Sequence, residues 1–277
     1  MIELIKHNFF LRTFIKDFIW GSLYLEQCLT CFWQKDKAAK VYFTVDVESL
    51  REFKNWLKPP KAIELAELTR LGLINLLKLV RIYKMPTTWF VTAGALSFGK
   101  DKLKEFGHLF LWLTENAARQ EIACHTFNHL DCSKTTKTTL EADLNKFSNL
   151  LGNGPFKKFY PAVSFAFPWD KADNWSVLEK LNFRFIRIKK GHFPNKIART
   201  ERRGQLFLLS ESFAGRLCSS WVMKLGLKIA KKTGKNFVIL IHPEDAASGK
   251  DWRQIEKLFK LLRQDNKLLV NTFRDAS

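Results

Sequence analysis

The stretch Val41-Tyr42-Phe43-Thr44-Val45-Asp46-Val47-Glu48 decides how this chain is read. Its first five residues are β-branched or aromatic, the composition of a buried strand. Two acids then leave that strand at i and i+2. Carboxylates beside a buried strand are costly unless they bind something; the plainer reading is a loop pair that caps the following helix.

Outward from this run the pattern alternates between short apolar segments and longer amphipathic ones. Residues 61–83 carry Leu65, Leu68, Leu71, Leu76 and Leu79 at helical spacing. Strands are expected at 87–92, 121–124, 163–167, 183–188, 206–209, 237–241 and 267–270, and helices at 103–118, 138–151, 175–182, 217–232 and 252–263. The segment between 188 and 206 reads as irregular and basic. Strand–helix alternation implies a parallel sheet with its chemistry at the carboxyl ends of the strands. The expected fold is α/β, an irregular (β/α) barrel of about seven or eight parallel strands over residues 39–277.

Two further segments fall just after predicted strands. His125-Thr126-Phe127-Asn128-His129 places two imidazoles four apart, where a helical turn would let both reach one metal ion. Ile239-Leu240-Ile241-His242-Pro243 ends a late strand with a histidine; alone, such a residue is more often a satisfied structural group. One barrel mouth would gather all three segments.

The order of these segments resembles the polysaccharide deacetylase family, the NodB homology domain of carbohydrate esterase family four. Met85-Pro86-Thr87-Thr88-Trp89-Phe90-Val91 and Phe165-Ala166-Phe167-Pro168-Trp169 are weaker echoes of its second strand and its proline-containing motif. The likeness covers about residues 40–273. It implies Asp46 as general base, His125 and His129 as ligands of a divalent metal, zinc first, and His242 as general acid. The family's third ligand follows the base directly, but that position is Val47, so Glu48 would fill the role. An arginine that orients the base is missing around Phe165–Phe167; Arg187 could replace it, or be a surface cation near Arg184 and Lys189. Pro168, Trp169 and Arg187 are the candidate substrate contacts. Trp169 and Trp175 could each offer a face to a sugar ring.

The implied reaction is hydrolytic removal of an acetyl or formyl group from an amino sugar, on a lipid-linked or nucleotide-linked precursor. A degenerate barrel that binds a sugar or anionic ligand without catalysis is the alternative. Nucleic-acid binding rests on charge alone, since no helix-turn-helix, zinc-finger or RNA-binding signature accompanies it.

Composition bounds these readings. The 277 residues, 46% hydrophobic, are enough for one large core. Forty-six basic against 27 acidic residues give a net charge of +19, which favours anionic partners or simply a solvated basic surface. Five cysteines, including Cys28-x-x-Cys31, form an odd and sparse set that suits a reducing compartment. No uncharged apolar run is long enough to span a bilayer, and Arg12, Lys16 and Asp17 break any secretory signal. The location expected is cytoplasmic, or peripheral on the inner face of the membrane. Residues 1–38, rich in Phe, Ile and Trp, read as an amphipathic helical appendage, either packed on the barrel or lying in a membrane surface. Lys224, Lys228, Lys231, Lys232 and Lys235 are expected to form one basic helix face that would add to such an anchor.

Overall fold

The computed structural model describes residues 36–99, 106–115, 119–189, 200–214 and 220–276. The strand β1 (Ala39–Val47) is its centre. Along one edge β1 pairs with β9 (Phe237–Ile241). Along the other, its first half pairs with β10 (Leu268–Asn271) and its second half with β2 (Thr87–Val91). From β2 the order continues through β3 (Gln120–Cys124), β4 (Ser164–Ala166), β5 (Phe185–Ile188) and β7 (Leu206–Ser210). All of these pairs are parallel.

The ring is completed by one length of chain. Residues 206–214 begin as β7 against β5 and end as β8 (Phe213–Ala214) against β9. Across the junction Glu211 N–H donates to the Ile188 carbonyl (3.0 Å) and Ser212 N–H to that of Val238 (2.9 Å). The result is the irregular (β/α) barrel expected from the alternation. Its helices are α1 (Leu50–Phe53), α2 (Pro59–Tyr83), α3 (Ala93–Leu96), α4 (Gly107–Glu115), α5 (Lys137–Asn153), α6 (Trp175–Lys180), α7 (Ser220–Thr233) and α8 (Gly249–Gln264).

The basic segment before residue 206 is not irregular throughout. Thr200–Arg203 forms β6, antiparallel to β7, with Arg203 opposite Leu206. The two residues between them are Gly204, at φ +56°, and Gln205, so a glycine-first hairpin turn is present. Its polar residues suit an edge strand whose cations lie on aromatics: Arg202 over Phe207 (4.4 Å) and Arg203 over Trp175 (4.7 Å).

Alternate residues of a strand point to opposite faces, and that period sorts the barrel. Val41, Phe43, Val45 and Val47 join the core between barrel and helices. Tyr42 instead joins a smaller core with Phe90, Ala123, Ala166, Phe185, Leu209 and Val238. Thr44 and Asp46 share the face of Tyr42, His125 continues that of Ala123, Arg187 that of Phe185, and His242 that of Leu240. Four reactive side chains therefore reach one mouth by strand periodicity alone.

The opposite end is plugged by the C-terminal turn Phe273–Asp275. Phe273 is fully buried and meets Tyr42 and Phe90 edge-on, each at 5.4 Å. Its N–H donates to Thr88 Oγ1 (2.8 Å), while Arg274 N–H donates to Glu121 (2.9 Å). Glu121, buried on β3, also accepts from Ser164 (2.6 Å) and Thr88 (2.9 Å).

Residues 1–35 of the predicted appendage lie outside the described residues; residues 36–38 have no regular structure. Asp36 is held by Lys231 (3.6 Å) and Lys232 (2.9 Å), and Lys231 also pairs with Asp265 (2.5 Å). Lys231 and Lys232 therefore clamp the chain to the barrel, which removes them from the free basic face expected of α7. No described helix is long and apolar enough to cross a membrane.

Phe273→Ala is expected to destabilise the fold by about 3–5 kcal/mol, the usual loss for a buried phenylalanine. Urea unfolding checks it, and a loss below about 1 kcal/mol would demote the plug to a peripheral contact.

Candidate active site

Asp46 closes the inward face of β1, where it is 3% exposed. Both of its carboxylate oxygens accept from the Arg187 guanidinium, in a fork from Nη1 and Nη2. Arg187 is therefore no surface cation: it is 2% exposed, lies over the Phe90 ring (4.8 Å), and stands behind Asp46 away from the cavity. Its Nε faces Glu211 Oε1 at 3.2 Å, an ion pair without hydrogen-bond alignment. Burial alone would raise the Asp46 pKa, but the charges of Arg187 and His125 outweigh it and hold the carboxyl below its usual range.

Glu48, one residue beyond the end of β1, follows Asp46 on the same side. Its Oε1 lies 3.5 Å from His125 Nε2 and 3.3 Å from His129 Nε2. Burial would raise this carboxyl too; hydrogen bonds to the two imidazoles bring it well below the ordinary value. One donor atom from each of the three lies within 4.8 Å of the others, and all three residues are buried. A tetrahedral zinc site with bonds of about 2.1 Å has ligand–ligand edges of about 3.4 Å. The spacing of this donor set fits such an ion. His125 Nδ1 sits 2.9 Å from the Ala166 carbonyl, which fixes the proton there and leaves Nε2 as the free donor. His129 Nδ1 is buried without a protein partner, and the ring edge meets Trp169 at 4.3 Å.

The two imidazoles do not share a helical turn, as their spacing had suggested. Residues 125–130 form a loop in which Thr126 (φ +60°) and His129 (φ +55°) adopt the left-handed region. The loop is held from α5: buried Asp143 accepts from Phe127 N–H (2.6 Å), Asn128 N–H (3.2 Å) and Asn128 Nδ2 (2.8 Å). Thr126 Oγ1 adds a bond from Leu130 N–H (2.9 Å). Nor does the acid pair of β1 cap the next helix, since α1 is capped by Ser49 with Glu52.

His242 ends β9 and borders the same cavity. Burial would lower its pKa, but Glu244, Glu48, Asp46 and Asp245 surround it and push it up to about 9. Glu211, between Arg187 and Asp170, is pushed up to about 8, first by burial.

A cavity of about 170 Å³ joins these groups. Asp46, Glu48, His125, His129 and His242 line it together with Phe53, Trp56, Leu65, Phe167, Trp169 and Asp170. Of the expected substrate contacts, Trp169 lines it, 44% exposed and strained at φ +52°. Pro168 is buried beneath and Arg187 sits behind Asp46. Trp175 packs into the core against Phe167 (5.0 Å) and does not line the cavity. Sequence reading missed Glu211, Glu244, Asp143 and the lining residues Phe53 and Trp56. Only Glu211 left a trace, two positions beyond Leu209 on an inward face.

No family model matches the chain, and no curated protein does. Solved structures do. The fold is that of a protein assigned as a polysaccharide deacetylase from Mycobacterium smegmatis, with TM-score 0.64 and 15% identity over 88% of this chain and 90% of that one. An allantoinase follows at TM-score 0.62 and 12% identity, covering 88% and 91%. A family 4 carbohydrate esterase from Bacillus anthracis gives TM-score 0.51 at 15% identity, covering 91% and 90%. At such identities the likeness establishes the fold; the chemistry has to be read from this chain's own residues.

Two measurements probe that geometry. In metal-free protein, His242 is expected to titrate near the value of about 9 that its carboxylate neighbours impose. Glu244→Gln removes a negative charge beside the imidazolium, so the midpoint should fall, as followed by NMR of the ring protons. An unchanged midpoint would remove Glu244 as a cause. Asp143→Ala frees the histidine loop and should weaken zinc binding by about 10–100-fold by calorimetry; unaltered affinity would mean the loop holds its shape unaided.

Proposed function

We propose that this chain is a metal-dependent hydrolase that removes an N-acyl group, acetyl or formyl, from an amino sugar. The observation that carries the reading is the Glu48–His125–His129 donor set, with Glu48 Oε1 3.5 and 3.3 Å from the two imidazoles, in one cavity with Asp46 and His242. A carboxylate base, an imidazole acid and a ligand set for a metal line one cavity, which favours catalysis over a degenerate sugar-binding barrel.

Glu48, His125 and His129 would hold the ion, zinc first for two imidazoles and a carboxylate. When bound, that ion supplies Lewis acidity and lowers the pKa of water towards neutrality. Asp46 takes the proton of the attacking water. Arg187 keeps the carboxylate ionised and fixes its plane, so Asp46 is a base at neutral pH. As the carbon–nitrogen bond breaks, the departing nitrogen needs a proton. His242, whose pKa the carboxylates around it raise, gives up that proton. Trp169 offers an indole face on which a pyranose ring can lie.

The finer reading is a lipid-linked or nucleotide-linked precursor met on the cytoplasmic side. The excess of 46 basic over 27 acidic residues suits a substrate or surface that carries phosphate. The deciding experiment is deacylation over lipid-linked, nucleotide-linked and free N-acetyl and N-formyl amino sugars.

Turnover is expected to stop with a chelator and return with zinc. Asp46→Asn should keep metal binding while lowering kcat about a hundredfold or more, and His242→Ala should act similarly on substrates with poor leaving groups. Near-normal turnover in Asp46→Asn, or indifference to chelation, would dismiss this mechanism.

A further inference from the structure

Phe53, Trp56 and Leu65 line the cavity, and residues 54–56 are exposed. Trp56 is 44% exposed although it lines the cavity, and Ile63 and Leu68 on the first half of α2 are 40% and 37% exposed. The same cavity is lined by a second indole, Trp169, also 44% exposed. Two exposed indoles lining one cavity are more than contact with water alone calls for.

The charges beside Trp56 have one sign. Between Glu52 and Glu64 the chain carries Lys54, Lys58 and Lys61 and no acid. All three lysines are exposed, and none is in an ion pair among the described residues. They do nothing for the helix that follows: Lys58 is the N-cap of α2 without a side-chain cap, and Lys61 lies in its first turn, where the macrodipole disfavours cations. Two prolines, Pro59 and Pro60, keep the connection from 54 to 61 short of donors and stiff. Arg51 differs, because its guanidinium is engaged with Asn128 (3.3 Å) and over Phe127 (5.5 Å).

An exposed indole among free lysines is the chemistry of a bilayer interface. The ring sits at headgroup depth and the ammonium groups reach the phosphates. We infer that residues 54–61 dock the mouth of the barrel on an anionic bilayer, with Trp56 as the apolar anchor and Lys54, Lys58 and Lys61 as its ionic contacts. This rests on the lipid-linked branch of the proposed function and gives it a geometry: the cavity opens along the docked face, so a headgroup-attached sugar enters it while its carrier stays in the leaflet. It also differs from anchoring by α7, whose Lys231 and Lys232 are paired at the other end of the barrel.

The test uses the full chain and vesicles of phosphatidylcholine alone or mixed equally with phosphatidylglycerol. The unaltered protein should co-sediment with the mixed vesicles and be partly released by salt. A variant with Lys54, Lys58 and Lys61 all replaced by Ser should lose about a hundredfold in partition, at roughly fivefold for each lysine near an anionic leaflet. Trp56→Ala should lower the share that resists salt. Hydrolysis of a soluble N-acyl sugar should be unchanged in the lysine variant, so failure to dock is told apart from failure of the catalytic reading. Partition that ignores the three lysines overturns the inference. So does a lysine variant that loses affinity for a single-stranded oligonucleotide when the unaltered protein leaves vesicles unbound.

Discussion

Charge buried at the mouth of an otherwise apolar barrel is the constraint on which this structure depends. Asp46, Glu48, His125, His129 and Arg187 are each less than 10% exposed. A lone carboxylate in such a place would take up a proton instead of staying ionised. Arg187 prevents this for Asp46, and its guanidinium is shared with Glu211. One cation for so many carboxylates leaves negative charge in surplus, which pushes His242 up to about 9 and adds to the burial that pushes Glu211 up to about 8. A divalent ion between Glu48 and the two histidines would offset the same surplus. Lys189 relieves it from outside by pairing with Asp170 at 3.2 Å.

The opposite end of the barrel shows the other solution to the same problem. Glu121 is as deeply buried as Asp46 but has no cation in its first shell of hydrogen bonds. It accepts from two hydroxyls and a backbone N–H, and burial raises its pKa. Phe273, fully buried, fills that end of the barrel. The barrel is thus polarised: apolar and plugged below, ionised and open above. The C-terminal turn and the mouth meet through the inner core, where Tyr42 and Phe90 touch Phe273 and Phe90 is also the ring under Arg187.

Much of this was legible in the chain because parallel strands buried on both faces are written as short apolar runs between helical stretches. The run Phe237–Ile241 has the same bounds in sequence and structure. Acid and imidazole positions just past such runs were equally readable, since strand ends fix where side chains go. What escaped reading has a common cause. Thr200–Arg203 is an edge strand made of polar residues, so no apolar run marks it, and only Gly204 signals its turn. The loop from 125 to 130 carries helical spacing in a left-handed backbone that Asp143 imposes from a distant helix. Arg187 resembled its cationic neighbours Arg184 and Lys189 until strand periodicity, not composition, turned it inward. The remainder of the N-terminal segment, with Cys28 and Cys31, falls outside the described residues.

The Asp-x-Glu spacing follows from the same periodicity. Val47 is fully buried in the outer core, on the side of β1 opposite Asp46. A carboxylate at that position of this strand would point among the helices and away from the histidines. Only i+2 returns to the inner face, and by then the chain has passed the end of β1. Glutamate adds one more carbon–carbon bond, about 1.5 Å. That reach places Oε1 at 3.5 and 3.3 Å from the two imidazoles, a distance an aspartate on the same backbone would exceed. On the proposed reading Glu48 is the third ligand, and its longer side chain suits a position one residue past the end of β1.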